Sequence, residues 1–199
     1  MDAPISVNIL TYISRRSTLA QAPAVSVRLR VNTVKKDSDA QFEMANRLFF
    51  RLYQCANMLH KTGSRAVEAE GLTTQQWAVL GALSREQARD GLSVGDLARY
   101  LMVSRQNLSG LIGRMERDGH LKVSPSGQDR RSRVVTMTAS GRRVWEQLAQ
   151  PKIRAYYAQA LADFSLNDLA HTLHYLLKML QNMERLDGAR ETAVPADMR

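Results

Sequence analysis

The sequence predicts a mainly α fold with a small β hairpin near its middle, and three observations carry that prediction. Helix-capping Ser and Thr residues precede several apolar runs, apolar residues recur at helical spacing near both ends, and one β-branched run interrupts the pattern. The first helix is written by Phe42, Ala45, Phe49, Leu52, Ala56 and Leu59, whose three- and four-residue steps make one long apolar stripe, and it is predicted to end near Gly71. Thr73 and Gln76 form a capping box ahead of a short helix with Trp77, Val79, Leu80 and Leu83. Ser93 and Asp96 open the next helix, which holds Leu97, Ala98 and Leu101. Ser104 caps another, running through Leu108, Leu111, Ile112 and Met115 to a stop at Gly119.

Beyond Gly119 the period changes. Leu121 and Val123, the turn Ser124-Pro125-Ser126-Gly127 and the run Val134-Val135-Thr136 predict a two-stranded hairpin. Thr138 restarts a helix with Val144, Trp145 and Leu148, which Pro151 is expected to kink or interrupt. Ser165 and Asp168 cap a last helix carrying Leu166, Leu169, Leu173, Leu176, Leu177, Leu180 and Met183 on one stripe. The predicted organisation is a flexible basic arm over residues 1–38, a helix over 39–72, a central module over 73–138, terminal helices over 139–186 and a fraying tail over 187–199.

Totals narrow the function. Lys and Arg outnumber Asp and Glu by 28 to 19, a net charge of +9 that favours polyanionic partners. The single cysteine, Cys55, rules out an internal disulfide, and no window is apolar enough to span a membrane, so the expected compartment is the cytoplasm. No P-loop, dinucleotide glycine pattern, HExxH or nucleophile elbow is present, which argues against an enzyme, and no cofactor is expected. His171 and His174 stand three residues apart with no third ligand evident nearby, so no metal site is expected.

The short turn Met102-Val103-Ser104 joins two of the helices into a helix-turn-helix, whose second helix can enter the major groove of double-stranded DNA. Its candidate contacts are Ser104, Arg105, Gln106, Asn107 and Ser109 near the helix start, with Arg114 further along. Arg donates bidentately to guanine, Asn and Gln pair with adenine, and Ser reaches a base or phosphate. The hairpin loop adds Asp129, Arg130, Arg131 and Arg133, where Asp129 orients a neighbouring guanidinium and another arginine enters the minor groove. Helix-turn-helix plus hairpin is a winged helix-turn-helix.

These residues resemble the MarR family of bacterial transcriptional regulators over residues 42–186. The matching run is Asn107-Leu108, Gly110, Met115-Glu116, Gly119-His120-Leu121, Asp129-Arg130-Arg131, then Thr138 and Gly141. The resemblance implies a homodimer held by the terminal helices, reading a pseudo-palindromic operator. The unpartnered apolar stripes at both ends independently ask for such a partner. It further implies a repressor released by a small aromatic acid, and residues 48–119 look similar to the subgroup sensing aromatic acids or hydroxycinnamoyl-coenzyme A thioesters. Arg51, Tyr53, His60, Arg65 and Trp77 are the candidate effector contacts, with core packing or a solvated helix face as the competing reading for each. Two rival functions stand beside this one, a nucleoid-type DNA binder without effector and an oxidant sensor of the same family. The second is disfavoured because alignment places Phe49 at the reactive position, leaving Cys55 as a buried filler.

Overall fold

The computed structural model describes residues 30–126 and 133–193, with the side chains of 30–37 and 189–193 outside that description. Among the described residues, seven α-helices and three strands follow in order: α1 (Arg30–Ala66), α2 (Thr74–Leu83), β1 (Leu92–Ser93), α3 (Val94–Leu101), α4 (Arg105–Arg117), β2 (Leu121–Pro125), β3 (Arg133–Met137), α5 (Ala139–Arg143), α6 (Gln150–Ala160) and α7 (Leu166–Ala193). The chain divides into two units at Arg51, within α1. The first unit contributes the start of α1, with Phe42, Met44, Leu48, Phe49 and Phe50 exposed.

In the second unit, a cluster including Leu80, Leu97, Leu108, Met115 and Val135 is fully buried and joins α2, α3, α4 and β3. The caps form as predicted. Thr73 accepts from the Gln76 amide and Gln76 returns a bond to the Thr73 amide at 2.8 Å. Ser93 and Ser104 accept from the amides of Asp96 and Asn107 at 3.0 and 3.2 Å, and Gly119 adopts a left-handed φ of 77° just past α4. Asp96 does not complete a box with the Ser93 amide; its carboxylate accepts from the Ser93 hydroxyl and the Arg99 guanidinium.

Four features differ from the sequence expectation. The sheet has three strands, not two, because Leu92 and Ser93 pair antiparallel with Val135 and Val134 of β3. A two-residue strand leaves no alternation to read. The first helix ends at Ala66, and a 3-10 turn at Glu68–Glu70 leads to Gly71, whose φ of 68° makes it the left-handed residue of that turn rather than the helix cap. At the edges, α1 begins at Arg30, inside the expected arm, and α7 continues to Ala193, inside the expected tail; the segment past Asp187 holds one helix-weakening residue, Gly188, before Pro195. Finally, the interruption falls ahead of Pro151 rather than at it. A π-helical turn at Val144–Ala149 precedes it, so Pro151 lies in the first turn of α6 where a missing N–H is tolerated. Trp145, Ala149 and Ile153 are buried along this segment.

At the start of α7, the Ser165 amide and hydroxyl both donate to the Asp168 carboxylate, at 2.9 and 2.6 Å. These bonds, the hydroxyl's first, hold the Asp168 carboxyl below the usual carboxylate range. A depressed pKa stabilises the folded state above the unfolded pKa, and the contribution is lost as pH falls through the folded one. Acid titration of helicity by circular dichroism should therefore show a loss confined to pH values below the ordinary carboxylate pKa, and Asp168→Asn should remove it.

Candidate nucleic-acid interface

The second helix of the helix-turn-helix is held by one face. Leu108, Leu111, Ile112 and Met115 of α4 are buried, which turns Arg105, Gln106, Asn107, Ser109, Gly110 and Arg114 outward. Asn107, Gly110 and Arg114 follow at three- and four-residue steps, so they form one exposed stripe, and the missing side chain at Gly110 lets a groove wall approach. The turn preceding α4 is compact because Met102 takes a left-handed φ of 54°.

The candidate contacts are not equivalent. The Ser104 hydroxyl is committed to capping, and the exposed α4 N-terminus it organises presents backbone donors suited to a phosphate. Arg105 lies over α3, its guanidinium 3.4 Å from where a Gly95 Cβ would stand. Ser109 donates its hydroxyl to the Arg105 carbonyl at 2.7 Å, so in this geometry it is left as an acceptor, suited to a base amino group and not to a phosphate. Among the described residues, Gln106, Asn107 and Arg114 make no side-chain hydrogen bond that would compete with a base edge.

The wing strands β2 and β3 pair from Leu121–Met137 to Pro125–Arg133, placing exposed Arg133 at the tip end. Asp129, Arg130 and Arg131 lie outside the described residues. Several signature positions are explained by packing instead of contact. The Glu116 carboxylate accepts from the Val123 amide at 2.9 Å, tying α4 to β2. The Thr138 hydroxyl lies 2.6 Å from the Gly119 carbonyl and also accepts from the Gly141 amide at 2.9 Å.

Among the described residues of the second unit, the effector candidates differ in their surroundings. Trp77 is buried, with Tyr156 and Tyr157 edge-on to it at centroid distances of 6.1 and 5.7 Å. Burial raises the Tyr157 hydroxyl's pKa, the Trp77 contact opposing it. His60 Nδ1 is 2.8 Å from the Thr74 hydroxyl, and Ser64 accepts from the Thr74 amide, so His60 ties α1 to α2. Tyr53 is exposed, as is Arg51, which belongs to the first unit. Arg65 lines a cavity of about 480 Å³ together with Thr62, Lys152, Tyr156 and Gln159. Reasoning from sequence missed the last four, and Glu70, because they converge from distant segments; the adjacent pair Tyr156-Tyr157 in a helix was the available signal. Cys55 is exposed, not buried. Among the described residues no three His, Cys, Asp or Glu side chains converge, and no helix is long and apolar enough to cross a membrane.

Comparison with known proteins agrees with this geometry. Residues 70–132 match the MarR family profile. The transcriptional activatory protein BadR of Rhodopseudomonas palustris is 77% identical over 158 residues, 78% of this chain and 90% of that one. The homoprotocatechuate degradative operon repressor of Escherichia coli is 30% identical over 132 residues, 66% of this chain and 83% of that one. Among solved structures, the M. tuberculosis regulator MosR, crystallised with DNA, superposes with TM-score 0.60 at 26% identity, covering 69% of this chain and 96% of that one. MepR of S. aureus, also with DNA, gives TM-score 0.61 at 22% identity over 67% of this chain and 96% of that one. By these matches the chain belongs to the MarR family of winged-helix transcriptional regulators.

Proposed function

We propose that this protein is a cytoplasmic homodimer that binds a pseudo-palindromic operator and changes its occupancy when a small aromatic acid, or its coenzyme A thioester, binds. The observation that carries the DNA half is the outward stripe on α4, where base-reading side chains stand beside a capped, exposed helix start. The wing arginines Arg130, Arg131 and Arg133 supply the second contact in the adjacent minor groove. Dimerisation is supported by the apolar surface left on the terminal helices, with Leu173, Leu176, Leu177 and Leu186 of α7 exposed. The aromatic effector is supported by the relative named for a homoprotocatechuate operon. Repression relieved by effector is the primary reading. Activation is the second, favoured by the 77% identical relative named as an activatory protein.

The test is footprinting on the DNA upstream of the protein's own gene, with and without benzoate, homoprotocatechuate and benzoyl-coenzyme A. A protected pseudo-palindrome whose occupancy shifts about tenfold with one compound is expected. Protection without sequence preference would return the nucleoid-type reading. Specific protection that no compound alters would remove the aromatic effector from the assignment. Transcription in vitro from the same DNA separates repression from activation.

A further inference from the structure

We propose that the cavity lined by α1 and α6 is the effector site, and that it takes an aromatic anion by sharing Lys152 with a buried resident carboxylate, Glu70. This rests on the reading that the protein responds to an aromatic anion, and adds where it binds and what competes with it.

The cavity is a groove open to solvent with a volume of about 480 Å³, and its lining holds Arg65, Lys152, Gln159, Thr62, Tyr156 and alanine side chains with no carboxylate. That size lies within the range of small-molecule sites. Two cations facing a space with no acid among its walls select an anion. Arg65 makes no ion pair among the described residues. Lys152 does make one, 2.5 Å from Glu70, but Glu70 stands outside the lining, with its side chain only 7% exposed. The other Glu70 oxygen is buried with no hydrogen-bond partner. An ammonium has three donors, so Lys152 can turn one toward the cavity while holding Glu70 with another.

The proton inventory of the neighbouring hydroxyls sharpens this. Thr62 donates to the Met58 carbonyl at 2.7 Å, so the 2.9 Å contact between Thr62 and Tyr156 is donated by the tyrosine. Both hydroxyl protons are thereby spent. The donors left for an anion are Arg65, Lys152 and the Gln159 amide, while the Tyr156 ring supplies an aromatic wall. That ring is also edge-on to Trp77 of α2, the helix packed against α3 and α4. An occupant that moves Tyr156 therefore presses on the DNA-binding core.

Glu70 acts as the internal competitor. Every degree to which Lys152 turns to an arriving anion leaves a buried carboxylate less compensated, a cost that weakens effector affinity. Removing the competing charge while keeping its shape should tighten binding.

Isothermal titration of the full-length protein with benzoate, homoprotocatechuate and benzoyl-coenzyme A tests this on wild type, Glu70→Gln, and the double variant Glu70→Gln with Lys152→Met. The double variant strands no buried ion, and its melting temperature checks that it folds. Glu70→Gln is expected to bind the responsive compound about tenfold more tightly than wild type, and the double variant about tenfold or more weakly than Glu70→Gln. Stronger binding of the thioester than of the free acids assigns the anion to its phosphates; the reverse assigns it to the carboxylate. Equal affinity in all three proteins, with DNA occupancy still responding to the compound, would overturn this site while leaving the effector response intact. Absence of binding by all three compounds to wild type and Glu70→Gln would overturn both.

Discussion

Gly141→Ala is expected to lower stability by about 3 kcal/mol, the upper end for overpacking a close contact, and the melting temperature by about 6–12 °C. A Cβ at this position would stand 2.1 Å from the His120 carbonyl oxygen and 2.9 Å from its carbon, far inside van der Waals contact. The obstruction is backbone, which no rotamer change relieves. That backbone is also pinned, since the Thr138 amide donates to the His120 carbonyl at 3.0 Å and the His120 amide donates to the Met115 carbonyl at 2.9 Å. The junction joins the end of α4, the start of β2 and the start of α5, so strain there should displace the recognition helix and the wing together. Gly113→Ala is the control. It lies inside α4 with nothing within 4 Å of its Cβ position, and the change should stabilise that helix by up to about 1 kcal/mol. Thermal melts of the two variants check the contrast, and equal melting temperatures would remove close packing as the reason for glycine at 141.

Arg105→Ala and Asn107→Ala should each cost about 1–3 kcal/mol of affinity for the operator found by footprinting, and each should relax choice at one base pair of a half-site. The expected signature is a smaller gap between operator and mutated operator, with the salt dependence for Asn107→Ala unchanged because it carries no charge. Arg105→Ala adds a charge change, so its salt slope should also fall. Gel-shift titrations over single-base operator variants measure both. Uniform weakening across all variants would reassign these side chains to phosphate. Neither residue packs in the core, so neither variant should melt differently from wild type.

How much of this was legible depends on how far apart the determinants lie. Thr73, Ser104, Thr138 and Ser165 announce their helices because a cap is a contact between residues three apart, and all four form. The face of α4 was readable for the same local reason, since the buried positions 108, 111, 112 and 115 dictate which side chains turn outward. By contrast, β1 exists only through its partner β3, more than forty residues later in the chain. The pairing of Glu70 with Lys152 is also nonlocal, between residues that nothing in their own segments marks. Trp77 reads as either ligand wall or core because an aromatic at helical spacing can be both until its neighbours are known; in the structure it is buried, with Tyr156 and Tyr157 edge-on to it. Cys55 was misread because a small apolar residue within a stripe looks internal, whereas among the described residues it is exposed.

The π-helical turn before Pro151 amounts to one residue more than an α-helix would use over the same span. An ordinary α-helix advances about 100° per residue, so that surplus residue resets the phase of everything after it. Trp145 locks the segment on one side, beside Gly81 of α2, where a Cβ would come within 3.2 Å of the indole. Lys152 and Tyr156 take their bearings on the other side. Losing a single residue in this turn would leave the hydrophobic composition intact and rotate both away from the space they share with Arg65. The length of one helical segment, counted to the residue, is thus part of what determines whether Lys152 and Tyr156 share a face with Arg65 at all.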